Sequence, residues 1–356
     1  MRAVRIPCQM TGPLAVLVGL IAAAALIAGG CGDSSGSPTD SSRTASPTHR
    51  AQGSGATFPA AAYTRWCQES QTCSYAPKGS GAGIKDLTDK TVAWAGSDAA
   101  LDEEEQAEIG ATVRYFPSLL GAVTVPVNIP ELRGRRLNLS GKAIAGIYMG
   151  TVTQWDDPLI AADNPGAALP GEGIIACARS DASGTSKNFS SYLVKADPEF
   201  EKRVGKSKTP PFTPKTLANA PGGPAVAICV KTNEYAIGYV DLGDVMRAGM
   251  EGMTAAVRSK AGGYVVPSVQ SVSKAGALGQ IPDDLVLDVA DSAVKGAYPI
   301  SATTYLLAVT GRDNAGAKRV FTYFLGREAQ SQLPALGYAP IPPNLLAAAT
   351  AQLAGM

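Results

Sequence analysis

Four times the chain repeats one short arrangement: an extended apolar stretch, a turn built from glycine, serine or threonine, and the start of a helix-like run. The four are "GSGATFPAAAYTRW" from Gly53, "YAPKGSGAGIKDL" from Tyr75, "TVAWAGSDAAL" from Thr91 and "EGIIACARSDASGTSKNF" from Glu172. Strands alternating with helices require an α/β protein whose sheets are covered on both faces. Each unit leaves the unpaired N–H groups of a helix N-terminus just beyond the carboxyl end of a strand, where open α/β sheets place their ligands. Converging helix starts hold an anion without net positive charge on the protein. The chain meets that condition: its formal net charge is +1, which gives no electrostatic footprint for nucleic acid.

The remaining pattern fills in the frame. Pro59 suits the first position of a helix, because its missing N–H has no partner there. "YFPSLLGAVTVPVNIP" predicts two buried strand pieces, and Ser140 predicts the N-cap of a helix ending near Gly150. "PAVAICVKTNEYAIGYVDL" reads as two strand-like runs, "GAYPISATTYLLAVT" as a buried strand pair, and the C-terminal stretch as two helices around a loop. "TQWDDP" reads as structural.

The chemistry open to the body is narrow. The single histidine, His49, lies in a Ser/Thr/Gly/Pro-rich segment ahead of it. Serine–histidine catalysis, cysteine–histidine catalysis and histidine-ligated metal sites are thereby excluded. No G-x-x-x-x-G-K-[ST] phosphate loop is present. Binding is the expectation, with no cofactor and no metal. Arg179 presents a planar fork suited to a tetrahedral oxyanion. Thr57, Phe58, Ser80, Ser183, Gly184 and Thr185 supply hydroxyls and backbone N–H groups, and Gly184 lets the backbone approach closely. Asp98 is the exception. A carboxylate beside a bound anion is repulsive unless that anion carries a proton to share, as phosphate does and sulfate does not. Each turn taken alone is also explained as an N-cap, with Asp98 capping the helix after it and Arg179 merely pairing with Asp181. Four such turns in one chain favour a site.

The N-terminus reads as an export signal over 1–30. It has a positive start, an apolar run from Leu14 to Ala28 and the small-residue segment "AGGC" ending at Cys31. A cysteine after small residues resembles a lipobox, with Cys31 lipidated by palmitate and residues 31–52 acting as a flexible tether. Four cysteines remain in the body. Cys67 and Cys73 flank a polar loop and suit a local bridge. Cys177 and Cys229 sit in strand-like runs and suit a bridge across a sheet, or else two buried free thiols.

The segments quoted above, with "LSGKAIAGIYMGTVTQWDDPLIAADNPGAALP", "RSDASGTSKNFSSYL", "AIGYVDL" and "AYPISATTYLL", closely resemble the phosphate-specific solute-binding proteins of bacterial ABC importers, in order from about Gly53 to Pro343. The resemblance implies a type II periplasmic-binding-protein fold, with two Rossmann-like lobes joined by two crossovers. Residues 53–125 with 297–356 form lobe 1, and 126–296 form lobe 2. It implies inorganic phosphate held in the interdomain cleft by Thr57, Phe58, Ser80, Asp98, Arg179, Ser183, Gly184 and Thr185, with Asp181 holding the arginine. It implies delivery to an ABC permease by a non-enzymatic protein held by lipid on the extracytoplasmic face of the cell membrane. Another oxyanion, sulfate or molybdate, and a surface phosphate-ester hydrolase are the competing readings.

Overall fold

The structure, a computed structural model, describes residues 50–132, 134–277 and 279–356. The expected signal, the lipid-bearing Cys31 and nearly all of the expected tether lie outside the described residues. The tether's last three positions do not: Arg50 is described, and β1 (Ala51–Gly55) begins at Ala51.

The chain then follows the repeated unit. After β1 come α1 (Ala60–Ser70), β2 (Cys73–Pro77), α2 (Ser80–Thr88), β3 (Trp94–Ser97), α3 (Glu103–Ile109) and β4 (Val113–Thr124). The middle of the chain contributes β5 (Asn138–Leu139), α4 (Gly141–Tyr148), α5 (Pro158–Asp163), β6 (Ile175–Arg179), α6 (Gly184–Ala196) and α7 (Pro198–Arg203). It continues with β7 (Leu217–Ala220), α8 (Gly222–Thr232), β8 (Ala236–Ile237), β9 (Val240–Asp241), α9 (Leu242–Arg247), β10 (Ala256–Arg258), β11 (Tyr264–Val265) and α10 (Val269–Ala275). The last segment holds β12 (Ser301–Val309), α11 (Ala315–Phe324), α12 (Arg327–Gln332) and α13 (Pro343–Ala354).

Six strands form one sheet in the order β2-β1-β3-β12-β4-β9. β1 stands between β2 and β3 and is parallel to both, so the three strands end at the same edge. β12 and β4 run antiparallel to close the far side. A second sheet, β7-β6-β8, is parallel throughout, and a third, β11-β10-β5, is small. β9, from the middle of the chain, pairs with β4 at the edge of the large sheet. Tyr63, Trp66, Trp94 and Phe324 pack edge-to-face or tilted where α1 and α11 cover that sheet. Phe189 stacks on Tyr239 beneath α6. Such aromatic pairs add to the area they bury. Among the described residues no helix is long and apolar enough to cross a membrane.

Several expectations from the sequence change. Val113–Thr124 is one strand, where the pattern predicts two pieces. Its Pro117 lacks an N–H but sits beside a bulge at Ser118, where a missing ladder bond is tolerated. Ser301–Val309 is likewise one strand, not a pair, and it is buried along its whole length, its Ser301, Thr303 and Thr304 included. The C-terminal stretch holds three helices because Gly326 breaks the first run into α11 and α12. "AVAIC" belongs to α8, not to a strand: a short apolar run has no periodicity that separates the two. Pro59 occupies the N-cap place, and the helix begins at Ala60.

Both pairs of body cysteines are bridged, Cys67 to Cys73 and Cys177 to Cys229. The second bridge joins β6 to α8, correcting the expected link across a sheet. The bridges span 52 and 6 residues of sequence, so they restrict the unfolded chain unequally. Replacing Cys177 and Cys229 with alanine is expected to cost about 4 kcal/mol in loop entropy, against about 2 kcal/mol for Cys67 and Cys73. Urea unfolding of the two double variants checks the order, and the reverse order contradicts it.

Candidate functional site

The parallel setting of β1, β2 and β3 brings three of the four predicted turns to one edge, and backbone hydrogen bonds lock them there. The Gly55 carbonyl accepts from Lys78 N–H (2.9 Å) and Gly79 N–H (2.8 Å), and Ala56 N–H donates to the Gly96 carbonyl (2.9 Å). Gly55 has φ +139, and a Cβ there would lie 2.0 Å from the Gly96 carbonyl oxygen. Only glycine fits a strand end this close to its neighbour.

From these turns project the first residues of the predicted set. The Phe58 ring is buried, and its carbonyl accepts from the Tyr338 hydroxyl at 2.5 Å. Phe58 therefore has its N–H to offer, not its ring. Thr57 Oγ1 accepts from Gly223 N–H at 3.3 Å. Ser80 opens α2 and is fully buried. The N–H groups of Phe58, Ser80 and Thr185 donate to no protein acceptor among the described residues.

The fourth turn follows β6. Arg179 Nε donates to Asp181 Oδ1 at 2.7 Å, and its Nη2 pairs with the other carboxylate oxygen. Nη1 reaches Thr185 Oγ1 at 3.5 Å. The arginine side chain is only 2 % exposed, and Tyr239 accepts its backbone N–H. Asp181 is fixed from behind by Gly222 N–H at 3.0 Å. Ser183 caps α6, its Oγ accepting from Ser186 N–H at 3.2 Å. Gly184 N–H donates to Ser80 Oγ at 3.1 Å. A Cβ on Gly184 would fall 2.6 Å from that hydroxyl and 2.8 Å from the Asp98 Cβ. The turns from the two parts of the chain thus meet at Gly184, as its predicted role requires.

Asp98 lies at the meeting point. It is not a cap: α3 is capped by Asp102, in a reciprocal capping box with Glu105. Asp98 is 2 % exposed. Its Oδ1 accepts from Thr304 Oγ1 at 2.8 Å, and its carbonyl accepts from Asn188 Nδ2 at 2.6 Å. Thr304 sits opposite the bulge in β4, so the irregularity in the ladder adjoins the residue that holds the acid. Burial pushes the Asp98 carboxyl up to about 7, against the opposing pull of Thr304, Arg179, Ser80 and Thr185.

All eight predicted binding residues and Asp181 therefore belong to one connected cluster. The sequence reading missed Thr304, Asn188 and the Gly222–Gly223 pair. The glycines open α8 directly after β7, a fifth copy of the same unit, and "NAPGGPA" carries its signal. Thr304 carries no signal, since it acts from another element; Asn188 lies on α6 one turn beyond Gly184, inside the quoted motif, but nothing local marks its reach to Asp98. Chemically the cluster offers donors, one neutralised arginine and one protonatable acid. No group of metal-ligating side chains occurs among the described residues.

Residues 38–328 match a family model described as a PBP superfamily domain. The chain is 32 % identical over 310 residues to the phosphate-binding protein PstS of Pasteurella multocida, with 84 % of this chain and 88 % of that protein covered. It is 32 % identical over 356 residues to the phosphate-binding protein PstS 3 of Mycobacterium leprae, with 91 % and 94 % covered. Among solved structures it resembles a high-affinity periplasmic phosphate-binding protein bound with phosphate, at TM-score 0.71 and 20 % identity, over 85 % of this chain and 93 % of that one. That likeness shows the two-lobe fold.

The ordinary carboxyl value of Asp98, 3.8, lies below its value in the folded protein, about 7, so the folded state keeps a proton that the unfolded state has lost. Its contribution to stability is full at low pH and is lost as pH rises through about 7. Ligand-free protein should therefore lose denaturant resistance between about pH 4 and pH 7, and Asp98→Asn should flatten part of that loss. Urea midpoints at the two pH values test this, and an identical loss in the variant contradicts it.

Proposed function

The chain belongs to the PstS phosphate-binding proteins of the PBP superfamily, and on that premise we propose that it captures inorganic phosphate between two lobes and delivers it to an ABC permease without transforming it. In this reading 53–125 with 297–356 form one lobe and 126–296 the other. The sharing of one sheet by the strands of 51–124 and 301–309 supports that division. Thr57, Phe58, Ser80, Ser183, Gly184 and Thr185 donate to the phosphate oxygens, and Arg179 adds the charged fork held by Asp181. Asp98 accepts a hydrogen bond from the proton that phosphate carries.

The single observation behind this assignment is Asp98, a buried acid among donors with its carboxyl value near neutrality. A carboxyl of this kind tolerates a monohydrogen or dihydrogen phosphate by sharing a proton. Once ionised, it penalises a fully ionised anion by burying like charges together. Rejection of sulfate follows from the same residue. Turnover is not part of the proposal: the relatives are named for binding, and the described residues hold no histidine to serve a nucleophile.

Calorimetry on residues 51–356, freed of carried-over phosphate, is expected to show tight phosphate binding from about pH 5 to pH 9 and no heat with sulfate above about pH 7, where Asp98 is ionised. Asp98→Asn should weaken the discrimination by about tenfold or more, the scale of one unpaired buried polar contact. Sulfate binding as tight as phosphate binding would remove Asp98 from the ligand.

Lipid attachment at Cys31 completes the proposal and sets the location at the extracytoplasmic face of the membrane. Its support is the "AGGC" segment after an apolar run. Cells fed labelled palmitate should incorporate it into the protein and into no Cys31→Ser variant. Equal labelling of both refutes the anchor.

A further inference from the structure

Lys208 is buried, its side chain 6 % exposed, and it does not belong to the phosphate cluster. It stands on the loop that follows α7. That loop is fastened to α6: Ser207 N–H donates to Ser190 Oγ (3.1 Å), and Ser183 N–H donates to the Lys208 carbonyl (3.0 Å). Ser183 is the cap of α6 and one of the proposed phosphate residues. The ammonium leaves this part of the chain altogether. It pairs with Glu105 Oε2, in the first turn of α3, and lies 3.8 Å from Oδ2 of Asp102, the cap of that helix. α3 follows the turn that carries Asp98.

The receiving carboxylate is positioned in advance. Glu105 Oε2 also accepts Asp102 N–H at 2.9 Å, as one half of the capping box, and its side chain is 18 % exposed. An ammonium and a carboxylate this far out of water are costly to separate, yet each has a route back to solvent if the two parts of the chain move apart. Other bonds between the same parts, among them Gly81 N–H to the Ala182 carbonyl, Gly184 N–H to Ser80 Oγ, Asn188 Nδ2 to the Asp98 carbonyl and Gly223 N–H to Thr57 Oγ1, are uncharged.

We infer that Lys208 is a latch: its ion pair with Glu105 and Asp102 forms when the lobes close over phosphate and slows phosphate release. The inference rests on the proposed phosphate reading and on the proposed lobes. Lys208 touches no ligand and acts through the position of Ser183 and the α3 turn. It therefore governs dissociation more than encounter.

The experiment is a double-mutant cycle of Lys208→Met and Glu105→Gln. The second variant keeps an acceptor for the capping box and removes only the charge. Phosphate release is followed after mixing the loaded protein with an excess phosphate scavenger. Urea unfolding of the phosphate-free protein is measured in parallel. Each single variant should release phosphate about tenfold faster or more, and the double variant little faster than the worse single one. The phosphate-free proteins should show additive effects on unfolding, because the pair is apart in the open state. Additive effects on release, or equal coupling in both measurements, overturn the latch and leave phosphate binding intact. A wild-type protein that takes up no phosphate overturns the reading beneath it, and the latch with it.

Discussion

The carbonyl of Gly96 approaches the Cα of Gly55 so closely that no side chain fits between them, and the binding cluster depends on that approach. It forces β1 against β3 to their last residues. β2 is held on the other side by the two N–H groups that share the Gly55 carbonyl. Three strands then finish in register, and the turns after them open at one place. A bulkier residue at position 55 would part β1 from β3 at their ends and separate Thr57 and Phe58 from Asp98.

Charge is handled locally and nearly cancels. Arg179 is spent on Asp181, and Asp181 is itself held by the start of α8. Little positive charge remains to attract an anion, so the burden passes to oriented N–H groups and hydroxyls at the ends of α1, α2 and α6. Such donors need no counter-charge and no reorganisation. Asp98 works in this setting because its burial is paired with a hydroxyl from β12. The acid is stabilised by a strand from the far end of the chain, which ties its proposed role in ligand selectivity to completion of the large sheet.

Some of this was open to inspection before any coordinates. The turn units predicted β1 with α1, β2 with α2, and β6 with α6, because Gly, Ser and Thr at a strand end have few other uses. Ser140 reads correctly as a cap for the same reason, and Ser183, for which a cap is only the competing reading of its turn, accepts a capping bond as well. The failures share a cause. α8 passed for a strand because "AVAIC" has no period, and the bulge at Ser118 hid the continuity of β4 across Pro117. Asp98 was ambiguous as a cap until Asp102 proved to hold that place.

Residue types alone narrow the chemistry: a body without histidine, rich in turn donors, with an arginine and an acid in telling places. Those are properties of residue type and short-range order. Tertiary structure decided which donors meet. Thr57 lies against Gly223, Ser80 against Gly184 and Asp98 against Thr304, pairs separated by 166, 104 and 206 residues. Such contacts arise from strand order and register, which local propensity does not encode. Long-range pairing is set by the packing of whole sheets, and a turn cannot announce which other turn it will face.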